Sequence, residues 1–292
     1  MRERIGSFCV LWLVVLGVLA LGGVAGGVLL LLLASLLTQY ELCQLCRKAG
    51  YEPYLWHCLG YGLLMLLLAY FPPAPMGGVE AAMVVFVCAL IETTFYAFSK
   101  REPRAIIGSL VSTVCNLVYL PLMFTFPLAM LRDWSSRGEA GRALACLLWI
   151  IAVAKFSDVG GLCVGSLCGG QKLAPQLSPA KTRWGLVGGV ILAPLLVGLG
   201  GRLLFASFFP KNFSPLRALL LAVFIALIAA FSDLVESTVK RLAQVKDSGK
   251  LIPGIGGIFD LTDSLILALP VGVLYFHYGE KLAPVLRAWG LF

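Results

Sequence analysis

The sequence predicts an all-α, polytopic integral membrane protein, and three observations predict it. The 292 residues are 60% hydrophobic and only 13% charged, with a mean hydropathy of +0.93; a soluble domain carries about 25% charged residues. Apolar runs of roughly 20 residues, the length that crosses a bilayer, recur along the chain. The basic residues gather at the ends of those runs instead of spreading over a polar surface.

Nine runs read as spans, at roughly 8–21, 24–42, 54–71, 79–98, 105–130, 143–157, 185–207, 216–235 and 264–278. The opening Met1-Arg2-Glu3-Arg4 imitates a signal peptide, but the uncharged stretch extends from Ile5 to Tyr40. That exceeds an h-region of about 7–15 residues, so a retained anchor is expected. As one helix the first two runs would measure roughly 46 Å, well beyond a ~30 Å hydrocarbon core. Gly22-Gly23 offers a turn between two shorter spans, and eight spans is the alternative. No polar segment is long enough for a separate soluble domain. The expectation is one transmembrane domain over 1–292, with N-terminal spans in 1–150 and the chemistry in the spans and loops of 151–292.

Charge distribution favours nine. With the N-terminus inside, inner segments hold 14 Lys and Arg against eight outside, Lys155 lying within a span. Eight spans would give 12 against 10, a weaker fit to the positive-inside rule. Loops 158–183 and 236–263 then both face the cytoplasm. The net charge of +8 is thereby explained as topology, and nucleic-acid binding is not expected.

Ionisable groups at membrane depth are costly and mark candidate functional sites. Lys155 and Asp158 close one run, Asp233 and Glu236 another, and Asp260 and Asp263 open the last. A carboxylate at a span end can also simply reach water. Asp260 and Asp263, at i and i+3, are expected to face one point, and paired carboxylates with phosphate oxygens suit Mg²⁺. Asp233, Ser237 and Lys240 fall on one helical stripe, while Glu236–Lys240 reads as a surface i,i+4 pair. The nine cysteines, including Cys43-Gln-Leu-Cys46 with His57 downstream, read as small apolar packing residues; a metal or redox pair is the lesser reading. Cys163 and Cys168 are expected in a Gly-rich loop whose Gly165–Lys172 segment only approximates a Walker pattern.

Lys246-Asp-Ser-Gly-Lys-Leu-Ile-Pro-Gly-Ile-Gly-Gly257 lies between the two acidic groups. Its glycines permit close backbone approach, and successive amides form an anion-binding nest. With Lys240, Arg241, Lys246 and Lys250 the loop suits a polyphosphate, although it matches no general phosphate motif.

Ser237-x-x-Lys240-Arg241-x4-Lys246-Asp247-x5-Pro253-Gly254-Ile255-Gly256-Gly257-x-x-Asp260-Leu261-x-Asp263 resembles the signature of the phosphatidate cytidylyltransferases, also called CDP-diacylglycerol synthases. Eleven of thirteen defined positions agree. Ile255 stands where that pattern has His, and Leu261 where it has Arg. Upstream, Asp233–Ser237 and Leu173–Thr182 also resemble family segments, with Ala180 and Arg183-Trp184 as departures, and Asp158 matches the Asp that opens the preceding loop. The resemblance covers about 155–265.

The resemblance implies an all-helical membrane enzyme converting CTP and phosphatidate to CDP-diacylglycerol and pyrophosphate. It implies Mg²⁺, with a potassium ion also involved, held by Asp233, Asp260 and Asp263. Catalytic roles fall to Ser237, Lys240, Arg241, Lys246 and Asp247. Substrate binding falls to Asp158, Ser178, Lys181, Lys250, Gly254, Gly256 and Gly257. The expected setting is the bacterial inner membrane, with membrane lipid as partner and a homodimer left open. A phosphomonoester with a second pKa near 6 needs no general base, so neither His57 nor His277 is required to replace the missing His. Three other readings stand beside it: a CTP-dependent polyprenol or phytol kinase, an inactive paralogue, and a transporter using buried carboxylates.

Overall fold

The uncharged N-terminal stretch does not run as a single rod. In the computed structural model, which describes residues 2–100, 103–252, 254 and 256–279, helix α1 (Arg2–Lys48) breaks at Gly23, with φ 52° and ψ −128°. A Cβ placed on Gly26 would overlap the Val18 carbonyl oxygen. Eight residues apart in a straight helix is about 12 Å, so the chain has doubled back. The turn expected at Gly22-Gly23 is present, and α1 is two arms.

Helices α2 (Leu55–Tyr70) and α3 (Gly78–Lys100) follow. Helix α4 (Pro103–Leu117) passes through a wide turn at Val118–Leu122 into α5 (Met123–Ser136). Pro121 has no N–H to give the helix, and a wide turn absorbs the missing bond. Next come α6 (Ala140–Cys168), a hairpin of β1 (Lys172–Ala174) and β2 (Ser178–Thr182), and α7 (Arg183–Ala193), which continues through Pro194–Leu199 into α8 (Gly200–Leu204). Helix α9 (Pro215–Leu242) is followed by the single turn α10 (Ile258–Thr262) and by α11 (Leu265–Val273), extended by Leu274–Tyr278. Among the described residues seven helical stretches are long and apolar enough to cross a membrane, and α2 is a shorter apolar helix. With the arms of α1 counted separately, these are the nine apolar segments of the sequence.

Two boundaries differ from expectation. Helix α6 does not end at Asp158 but runs to Cys168, so Cys163 and Cys168 are helical, and α9 runs past Asp233 to Leu242. The polar residues do not stop these helices because their charges are paired, within the helix as for Lys155–Asp158 or with another segment as for Lys155–Asp263 and Lys181–Asp233. The hairpin is a small departure from an all-helical chain: its antiparallel strands pair Lys172 with Thr182 and Ala174 with Ser178.

The core is a continuous apolar cluster including Met65, Phe124, Leu128, Ile150, Ile225, Phe259 and Leu269. The α6–α7 contact works differently. A Cβ on Gly185 would lie 2.8 Å from the Gly161 oxygen, and one on Gly189 would lie 2.5 Å from the Ser157 oxygen. The two backbones touch through small residues, the usual solution for helices in lipid. Thr182 caps α7 by accepting the Gly185 amide at 3.0 Å. Helix α6 and the β2 strand that leads into α7 hold Lys155, Asp158 and Lys181 beside α9.

Candidate active site

Helices α6, α9 and the α10–α11 turn converge on one charged cluster. On α9, Asp233 and Glu236 lie on the face that meets Asp263, and one carboxylate oxygen from each of the three falls within 4.8 Å of the others. Lys155 Nζ is 2.9 Å from Asp263 Oδ1 and 3.9 Å from Asp158 Oδ2. Lys181, on β2, pairs with Asp233 Oδ2. Lys240 Nζ lies 2.6 Å from Glu236 Oε1 and 2.7 Å from Asp260 Oδ1. Ser237 Oγ is 3.5 Å from Asp233 Oδ1, and Ser232 Oγ donates to the Asp263 carbonyl.

The ion-paired cluster thus holds five carboxylates and three ammonium groups. If all are ionised, two negative charges are in excess. Glu236 is fully buried, and Asp233 and Asp263 keep only 17% and 15% of their side-chain surface. An oxygen-only donor set with an uncompensated charge of two fits a hard divalent cation.

Asp260 does not share that point with Asp263. Its Oδ2 accepts the Ser248 amide at 2.8 Å, the Ser248 hydroxyl at 2.9 Å and the Gly257 amide at 2.8 Å, while Oδ1 faces Lys240. The i,i+3 spacing is kept in the backbone, but the side chains have different partners: Asp260 is held by the glycine loop and Lys240, and Asp263 by Lys155. Glu236 occupies the third place in the acidic trio, and it is no surface residue.

The glycine loop is organised from the far end of the chain. Glu41, on the second arm of α1, accepts the Ile258 amide at 3.0 Å, the Phe259 amide at 2.9 Å and the Ser248 hydroxyl at 2.7 Å. These amides open α10, where a carboxylate also meets the favourable end of the helix dipole. Nearby, Thr38 Oγ1 is 2.9 Å from Thr262 Oγ1. A Cβ on Gly257 would collide with Glu41 Oε2 and Ser248 Oγ, and one on Gly256, at φ +124°, with Asp260 Oδ2. Gly256 and Gly257 are therefore required for closure around the protein's own carboxylates, and the Gly257 amide is taken by Asp260. Glu41 escaped the sequence reading, although a carboxylate at the end of an apolar run was the available signal.

The remaining candidates lie farther out. Arg241 donates from Nε to the Leu177 carbonyl at 3.1 Å, tying the β-hairpin, and with it Ser178, to the end of α9. Lys246, Asp247, Lys250 and Gly254 are exposed on the outside of the loop. Pro253 and the departure at Ile255 lie outside the described residues. Leu261 faces an apolar cavity beneath the cluster. Cys43 is fully buried and accepts from Asn116 Nδ2 at 3.2 Å, and both it and Cys46 are free thiols. His57 pairs with Glu92, and His277 with Asp133 and Trp134, away from the acidic trio.

The fold is thus a largely helical membrane protein with a buried carboxylate–lysine cluster where four segments meet. The model of the cytidylyltransferase family matches residues 2–279. The chain belongs to that family. It is 39% identical over 135 residues to the Uncharacterized protein YnbB of Escherichia coli, covering 45% of this chain and 42% of that one. It is 37% identical over 137 residues to a phosphatidate cytidylyltransferase of Rickettsia bellii, covering 46% and 55%. A phosphatidate cytidylyltransferase of Mycobacterium bovis is 30% identical over 245 residues, covering 80% and 74%. The chain thus spans about half the length of the first two relatives.

Proposed function

We propose that this protein is a phosphatidate cytidylyltransferase, joining CTP to phosphatidate with release of pyrophosphate. The observation that carries the reading is the cluster of Asp233, Glu236 and Asp263 ringed by Lys155, Lys181 and Lys240. It lies within the stretch that resembles the family signature, and two relatives bear that enzyme's name.

In the reaction a phosphate oxygen of the lipid forms a bond to the α-phosphorus of CTP, and the bond from that phosphorus to the bridging oxygen of pyrophosphate breaks. Positioning and charge neutralisation supply most of the catalysis in such transfers. Mg²⁺ held by Asp233, Glu236 and Asp263 would contribute neutralisation of charge on the nucleotide phosphates. Lys155 and Lys181 hold two of those carboxylates in place and present cations to an anionic substrate. Lys240 fixes Glu236 against Asp260 and thereby joins the trio to the glycine loop. Arg241, Lys246 and Lys250, on or beside that exposed loop, suit capture of a polyphosphate from water. The lipid phosphate is already largely ionised at neutral pH, so no proton need be removed from it. The concentration of bases at this end of the helices supports an orientation toward the cytoplasm, in a bacterial inner membrane.

Purified protein incubated with labelled CTP and phosphatidate, with and without Mg²⁺, tests the reading. Metal-dependent CDP-lipid with one pyrophosphate per turnover is the expected result. A phosphorylated lipid with CDP as by-product, or no turnover, overturns it.

A further inference from the structure

Beneath the charged cluster lies a cavity of about 250 Å³ walled by both arms of α1, by α6 and by α10–α11. The cavity is partly open to the surroundings and large enough for hydrocarbon, since an apolar cavity of about 150 Å³ already admits benzene. Its lining includes Leu11, Trp12, Ala34, Leu261 and Leu265, and its one charged member is Lys155. That lysine is the same residue whose ammonium sits 2.9 Å from Asp263. An apolar chamber that ends on a single cation, itself part of the charged cluster, has the polarity of an amphiphile with an anionic head.

We propose that this cavity receives an acyl chain of the lipid substrate and that Leu261 sets which chains fit. The proposal rests on the reading of the substrate as a lipid phosphomonoester and deepens it. Leu261 stands where the resembling signature has Arg. A guanidinium there would put a second cation into the chamber, whereas the leucine side chain completes an apolar wall one turn below the cluster. Thr262, the next residue, also lines the chamber and is held to Thr38 on α1, so the wall is braced from both sides. The first arm of α1 supplies Leu11, Trp12, Val15 and Leu19 to the lining, and Leu13 on the same arm is 70% exposed and faces outward. The arm thus forms one wall of the chamber, and Gly23 is the point about which it is folded.

Two measurements test this. In the first, kcat/KM is compared for dioleoyl and dihexanoyl phosphatidate in wild type, Leu261→Trp, Ala34→Leu and the outward-facing control Leu13→Trp. A methylene gained or lost in an apolar pocket changes discrimination by about tenfold or more. The long-to-short ratio should fall by about that factor in the two cavity variants and stay at the wild-type value in the control. An unchanged ratio in the cavity variants, or an equal fall in all three, overturns the proposal. If wild type forms CDP-lipid from neither substrate, the underlying reading fails as well, and the two failures are distinguishable.

The second measurement uses wild-type protein alone and so does not depend on variants folding. Phosphatidate with a diazirine near the end of one acyl chain is photolysed on the protein, and the labelled peptides are mapped. Label on residues 30–37 and 258–269 is expected. Label confined to outward positions such as Leu13, Leu16 and Leu21 overturns the assignment.

Discussion

Glu41 accepts the Phe259 amide at 2.9 Å across 218 residues of sequence. The same carboxylate holds Ile258 and Ser248, so a residue of the first helix sets the start of the last helical segment and the shape of the glycine loop. Replacing it by Ala leaves the Ile258 and Phe259 amides without an acceptor, at about 1–3 kcal/mol for each that stays buried, while the Ser248 hydroxyl keeps Asp260. Glu41→Ala should lower Tm in detergent and abolish CTP turnover, while Glu41→Gln, which keeps one acceptor oxygen, should retain part of both. Thermal unfolding and turnover measured together check this.

The divergence of Asp260 and Asp263 separates two kinds of defect. Asp233→Asn, Glu236→Gln and Asp263→Asn should each raise the Mg²⁺ concentration for half-maximal activity at least about tenfold, since even neighbours of metal ligands change affinity by 10–100-fold. Asp260→Asn, which reaches Glu236 only as a neighbour, should raise that concentration less than the other three while lowering kcat and Tm, because its oxygens serve Ser248, Gly257 and Lys240. Mg²⁺ titration of the four variants is the measurement. An Asp260 variant with the same Mg²⁺ defect as the others contradicts the separation.

Gly257→Ala should be as damaging as loss of a charged residue. The added methyl collides with Glu41 Oε2 and Ser248 Oγ, and overpacking of this kind costs about 1–3 kcal/mol. The expected outcome is a lower Tm and little turnover. Gly60→Ala, whose methyl would meet nothing within 4 Å, is the comparison and should behave as wild type.

Cys43→Ser combined with Cys46→Ser should change turnover little. Both thiols are free, and Ser can take over acceptance of the Asn116 amide from Cys43. A loss of turnover approaching that of the Asp263 variant would give the pair a chemical role.

Much of the architecture was legible because it rests on simple physics. Long uncharged runs have few alternatives to membrane helices, and a glycine pair inside an overlong run announces the reversal found at Gly23. Asp233, Lys240 and Asp263 stood out as charges that apolar sequence does not explain. What was not legible depended on distant partners. Helix α6 continues through Lys155 and Asp158 because Asp263, more than a hundred residues later, meets the lysine. The burial of Glu236 beside Asp233 and Asp263, and the hold of Asp260 on the glycine loop, were not legible because both depend on partners elsewhere in the chain. Gly256 and Gly257 looked like a cradle for phosphate, but their neighbours are Asp260 and Glu41.

The contact from Glu41 to α10 also bears on how the protein is made. During synthesis Glu41 enters the membrane more than two hundred residues ahead of the amides it serves, with its carboxylate at the end of an apolar helix. No earlier stage of translation contains a finished site. Until residues 248–259 are made, the Glu41 carboxylate lacks the donors that hold it in the finished fold. Ribosome-bound chains stopped before residue 248 should leave that carboxylate open to chemical labelling, and release of the full-length chain should close it.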